Sequence, residues 1–137
     1  MAKDFTELVA WQLAVKLEDF VVNMTRRQAL TRDREFCAQA NDAAASAPRN
    51  IAEGFGRFAP KEFAQYLRIA IGSELESRNQ ILEAARKKAI TPTERDEGVL
   101  LTRRAVTAAL RLRRYLRSSR ARANAERIEN SRTPENS

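Results

Sequence analysis

The sequence predicts an all-α protein: an antiparallel up-down-up-down four-helix bundle with a disordered C-terminal tail. Three observations carry that prediction. Apolar residues recur at three- to four-residue intervals over four helix-length segments. Gly54, Gly56, Pro60 and Pro92 fall at short breaks between segments, and short breaks imply antiparallel neighbours. No alternating pattern of the kind that marks a strand competes anywhere.

The first helix is expected over about residues 6–27. Leu8, Trp11, Val15 and Val22 form its apolar face, widened by Leu13, Leu17, Phe20 and Met24. The second spans about 32–53 and is rich in alanine (Ala38, Ala40, Ala43, Ala44, Ala45, Ala47), which favours helix and lets backbones approach closely. Pro48 falls within it and predicts a kink. The third spans about 61–88, opened by Pro60 and by Glu62 at its positive end. Its buried stripe is read as Phe63, Leu67, Ala70, Ile71, Leu75, Ile81 and Leu82, and Gly72 sits mid-helix. The fourth spans about 92–120. It opens on Thr91-Pro92-Thr93-Glu94, a capping box in which Thr91 caps, Pro92 is the first helical residue and Glu94 reaches back. Residues 1–122 are thus one domain, and 123–137 read as a flexible tail of polar residues.

The charge is unevenly placed. The 137 residues hold 25 Lys+Arg and 18 Asp+Glu, a formal net of +7. Residues 86–122 alone hold twelve basic and three acidic side chains, a net of +9, and all the basic ones except Lys87 and Lys88 are Arg. Arg presents a planar fork matched to phosphate oxygens, so this density points to a phosphate-rich partner as readily as to a solvated face. On a wheel of 100° per residue, Leu101, Ala105, Ala108, Ala109, Leu112, Tyr115 and Leu116 make the core stripe of the fourth helix. Arg103, Arg104, Arg111, Arg113, Arg114, Arg117 and Arg120 occupy the remaining arc and are the candidate nucleic-acid contacts. Val99, Val106 and Leu110 lie inside the Arg arc and suggest a subunit contact.

Chemistry for catalysis is hard to find. Histidine is absent, which removes imidazole acid–base catalysis and the common zinc sites. Glu74 and Glu76 are two apart and point to different sides of a helix. Cys37 has no His partner and reads as a small core residue; as the sole cysteine it makes no internal disulfide, which suits a reducing cytoplasm. Gly54-Phe55-Gly56-Arg57 lacks the remaining pattern of a phosphate loop. No run approaches a membrane span. The expectation is a cytoplasmic, non-enzymatic protein with no metal, cofactor or small-molecule substrate.

One stretch is more specific. Ser46-Ala47-Pro48-Arg49-Asn50-Ile51-Ala52-Glu53-Gly54-Phe55-Gly56-Arg57, followed by Glu62-Phe63, by Ala70-Ile71-Gly72-Ser73 and by Glu76, resembles the bacterial family of proteins encoded within intervening sequences of 23S ribosomal RNA genes. The opening Phe5, Leu8, Trp11, Gln12 and Ala14 is also similar, so the likeness covers about residues 4–90. The chain departs from the family's pattern at Ala47 and at Asn41-Asp42. The resemblance implies a four-helix bundle, often a ring-like homopentamer, without known enzymatic activity. It is distantly similar to accessory proteins of diversity-generating retroelements, which are basic pentamers that bind nucleic acid and a reverse transcriptase. A ring of five would carry about +35.

The signature residues Asn50, Glu53, Gly54, Arg57, Gly72, Ser73 and Glu76 also have a structural reading. Asn50 and Glu53 share a helix face and can bond helix ends or Arg57. Gly54 can supply a left-handed helix stop, and Arg57 and Arg68 can pair with Glu53 and Glu76. The leading functional expectation is an oligomer that binds RNA or DNA backbone through the Arg-rich helix. The rival is an adaptor whose Arg face docks an acidic protein.

Overall fold

The computed structural model describes residues 2–132, and among them every regular element is helical. A 3-10 turn at Phe5–Glu7 precedes α1 (Val9–Thr25), a single-turn α2 (Gln28–Thr31), α3 (Arg34–Phe55), α4 (Pro60–Arg86), α5 (Pro92–Leu116) and α6 (Ser119–Arg132). Six helices therefore stand where the sequence predicts four: the single turn α2 falls in the predicted gap after the first helix, and α6 follows a break in the fourth, while an extended Leu8 sets the opening 3-10 turn apart from α1.

Each break has a local cause. Leu8 is extended (φ −76°, ψ 126°), which separates the opening turn from α1. Gln12 Nε2 ties that turn back by donating to the Thr6 carbonyl at 2.9 Å, and Phe5 meets Trp11 edge to face at 5.4 Å. The fourth predicted helix stops at Leu116, where Ser118 donates to the Tyr115 carbonyl from both its N–H (3.0 Å) and its hydroxyl (2.5 Å). Such local side-chain bonds compete with the helix ladder. Residues 123–132, read as the start of a tail, continue as helix α6. Ala123, Glu126 and Arg127 are good helix formers, and the described side chains of α6 are mostly exposed, so local propensity rather than burial makes this helix. The predicted tail beyond residue 132 lies outside the described residues.

The helix starts follow their sequence signals. Thr91 Oγ1 accepts the Glu94 N–H at 3.1 Å while Glu94 accepts the Thr91 N–H at 3.1 Å, so the capping box of α5 is complete. Asp33 caps α3 by accepting the Phe36 N–H at 3.1 Å. That bond, with Lys87 Nζ 3.4 Å away, holds the Asp33 carboxyl below the usual range. Pro48 is buried within α3, which runs through it from Arg34 to Phe55.

Two helix ends use left-handed residues other than glycine. After α4, Lys88 has φ 58°; its N–H donates to the Ala85 carbonyl and the Ala89 N–H to that of Ala84, each at 3.0 Å, a Schellman closure. After α3 the left-handed residue is Phe58 (φ 54°). The expectation that Gly54 stops a helix in the left-handed region is corrected, since no described glycine has positive φ and Gly54 is buried inside α3. Its role is close approach: a Cβ there would lie 2.7 Å from Tyr66 Cβ and 2.8 Å from the Phe63 ring. Gly98 does the same for α5, where a Cβ would meet the Phe20 ring at 2.7 Å.

The core falls into two clusters. In one, Ala10 and Ala14 of α1 meet Ala47 and Ile51 of α3, Phe63 and Leu67 of α4, and Ala109 and Leu116 of α5. In the other, Leu17, Val21 and Met24 of α1 meet Phe36 and Ala40 of α3 and Ile81 and Ala84 of α4, with Leu101 of α5 alongside. Leu17, Ile51, Leu67 and Ile81 are fully buried, each worth about 1.5–3 kcal/mol of transfer free energy.

Several predicted core positions shift by one residue. In α1 the buried line is Ala10, Leu13, Ala14, Leu17, Val21 and Met24, while Leu8, Trp11, Val15 and Val22 are half-buried flanks. In α4 the buried face runs through Phe63, Leu67, Ala70, Glu74, Ser77, Ile81 and Ala84, so Leu75 is left 49% exposed. In α5 Tyr115, at the edge of the predicted stripe, is 44% exposed. Cys37 is half-buried, not fully buried, with Sγ 3.2 Å from the Leu30 carbonyl; burial pushes its thiol up.

Candidate nucleic-acid interface

Arg103, Arg104, Arg111, Arg114 and Arg117 are exposed, and Arg113 is half-buried. The side chain of Arg120 lies outside the described residues. Arg103 to Arg117 spans about 21 Å of helix at 1.5 Å per residue. Among the described residues none of these six side chains is paired with a carboxylate, although the protein pairs other cations: Arg27 with Glu94, Arg57 with Glu53 at 2.8 Å, and Lys87 with Glu83 at 3.3 Å. Unpaired guanidinium groups in a row leave a strong positive field, the arrangement that suits a polyanion.

The fold adds cations that the sequence reading did not assign to this surface. Lys61, Gln65 and Arg68 at the start of α4 line a cleft of about 340 Å³ together with Arg113 and Arg117 of α5, over Ala64 and Leu116. Arg68 is not paired with Glu76 among the described residues. A signal existed in the sequence, since Lys61 and Arg68 are seven apart on one helix face. What was missing was knowledge of which face of α5 lies beside it.

The three residues read as a subunit contact are less uniform. Val99 and Val106 are half-buried, while Leu110 is 44% exposed. Leu100, missed in the sequence reading, is 52% exposed on the same helix. On α4, Ile69 and Leu75 are each 49% exposed and flank Gly72, around which no atom would touch an added Cβ within 4 Å.

The signature residues separate into two groups. Asn50 Nδ2 donates to the Ser46 carbonyl (2.8 Å) and hydroxyl (3.0 Å), and Ser73 Oγ donates to Ser46 Oγ at 2.9 Å, joining α3 to α4. Arg57 donates to Glu53 and, at 2.9 Å, to the Tyr66 hydroxyl, with its guanidinium carbon 5.4 Å from the Tyr66 ring centre. These contacts, with Gly54, stitch the end of α3 to α4. Gly72 and Glu76 stand apart, both exposed on α4. Glu74, two residues before Glu76, is fully buried with neither carboxylate oxygen hydrogen-bonded, and burial pushes it up to about 8.

Among the described residues no group of three His, Cys, Asp or Glu side chains is placed to hold a metal ion, and no helix is long and apolar enough to cross a membrane. Fold and surface together define a small helical-bundle protein whose last long helix carries a row of unpaired arginines. The 23S rRNA-intervening sequence protein family matches residues 6–106, and the chain belongs to that family. No curated protein matches the chain.

Proposed function

We propose that this protein is a non-enzymatic, oligomeric four-helix bundle that binds the backbone of RNA or DNA through the arginines of α5. The observation that carries the reading is the row Arg103, Arg104, Arg111, Arg113, Arg114 and Arg117, unpaired among the described residues. Such a row reads phosphate and helix shape rather than base sequence.

The bundle is up-down-up-down in its four long helices. Support comes from the core: the starts of α1 and α4 share one cluster with the ends of α3 and α5. The oligomer is a homopentamer on the family resemblance, and the exposed Leu100, Leu110, Ile69 and Leu75 support a further packed face. The compartment is the cytoplasm, where a lone thiol stays reduced.

Binding to a labelled duplex RNA and duplex DNA, titrated with salt, tests the reading. Affinity should fall steeply with salt, and each phosphate contact removed by an Arg→Gln change at 103, 104, 111 or 114 should lower the log–log slope by about 0.9. Absence of binding at low salt, or a slope unchanged when all four are replaced, would sink it and leave an acidic protein partner for the same face.

A further inference from the structure

We propose that the cleft between the start of α4 and the end of α5 is a phosphoryl-binding site, one that seats a backbone phosphate of the nucleic acid; in that respect it rests on the function proposed above. Lys61 and Arg68 from α4 and Arg113 and Arg117 from α5 bring four positive charges to one recess. They are up to 56 residues apart in the chain and converge only through packing of the two helices. No acidic side chain lines the recess; Glu62, beside Lys61, is exposed and not part of its wall. None of the four cations has a carboxylate partner among the described residues.

Three features distinguish this recess from a merely solvated basic face. Its floor is apolar: Ala64 and Leu116 are 4% and 9% exposed, beneath the exposed Lys61, Arg68 and Arg117. Arg113 is held there half-buried, and its Nε is shielded from solvent with no hydrogen-bond acceptor. A donor left in that state costs free energy, so the guanidinium is held in place by packing rather than by a partner in the chain. The remaining polar wall, Gln65, supplies a neutral amide donor. At about 340 Å³ the recess falls at the small end of ligand sites, room for a phosphoryl group and part of what carries it. Like charges brought together without counter-charge repel, and a phosphoryl oxyanion, accepting from several guanidinium donors at once, is the group that relieves the repulsion.

Two ligands and two double variants test the site. Sodium tripolyphosphate (by calorimetry) and a fluorescein-labelled duplex RNA (by anisotropy) are titrated into wild type, into Lys61→Gln with Arg68→Gln, and into Arg103→Gln with Arg104→Gln on the outer face of α5. Thermal melts of wild type with and without tripolyphosphate give a reading that needs no variant. The expected result is tripolyphosphate binding weakened about tenfold or more by the α4 pair and unaffected by the α5 pair, with RNA weakened by both. Loss of RNA affinity in the α4 pair without tripolyphosphate binding also supports the site, with the chain backbone as its sole source of phosphate. The site is overturned if the α4 pair binds both ligands like wild type, or if wild type binds neither. RNA weakened only by the α5 pair removes the cleft and leaves the nucleic-acid reading intact. Tripolyphosphate held by the cleft with no RNA binding keeps the cleft and removes that reading.

Discussion

Gly54 of α3 packs directly against Tyr66 of α4: a Cβ at position 54 would lie 2.7 Å from Tyr66 Cβ. Because Tyr66 Cβ moves only with its backbone, an added methyl forces α4 away rather than turning a side chain aside. Gly54→Ala should therefore destabilise the fold by about 1–3 kcal/mol despite alanine's better helix propensity. Urea denaturation of the variant measures this; a stability equal to or above wild type would refute the close-packing role.

Gly72 supplies the contrasting case. It lies mid-helix in α4, exposed, with ordinary backbone and nothing within 4 Å of an added Cβ. Gly72→Ala should stabilise by about 0.5–1 kcal/mol, chiefly by restricting the unfolded chain. The midpoint of thermal unfolding should rise, and a fall would mean that this glycine is held for a contact outside the single chain.

Lys88 closes α4 in the left-handed region at φ 58°. Glycine adopts that conformation without the Cβ clash. Lys88→Gly should be stabilising by up to about 1 kcal/mol, as judged by denaturant midpoint, where the same change in a helix interior would cost that much.

Glu74 makes stability depend on pH. Its carboxyl titrates at about 8 when folded and in the usual carboxylate range when unfolded, because burial penalises the charged form. The stability it contributes is therefore complete below the usual carboxylate range and is lost as pH rises through about 8. Within that window the slope is about 1.4 kcal/mol per pH unit for this one group. Glu74→Gln, which forfeits no hydrogen bond because neither oxygen has one, should flatten the decline between pH 5 and pH 8 in urea midpoints. Parallel pH profiles for variant and wild type would exclude the account.

Much of the fold was legible in the chain because its signals are local. Thr91 and Glu94 form their capping box within a single turn, and the Asn50 to Arg57 signature sits on one helix end. The misplaced residues share a cause. Periodicity finds a face but not which neighbour covers it, so the predicted stripe includes Leu75 while the packed face runs through Glu74 and Ser77. Gly54 was read through backbone freedom, since its crowding by Tyr66 depends on a helix twelve residues on.

Legible in the chain alone are the helical character of the described residues, the helix starts at Pro60 and Pro92, the family and the crowding of positive charge into 86–122. Each of these follows from residue type and spacing along one segment. Helix packing settles which carboxylate is buried, which glycine carries a close approach, and that Lys61 and Arg68 stand beside Arg113 and Arg117. Those outcomes depend on the rotation and distance of one helix against another, which packing sets and no single helix encodes.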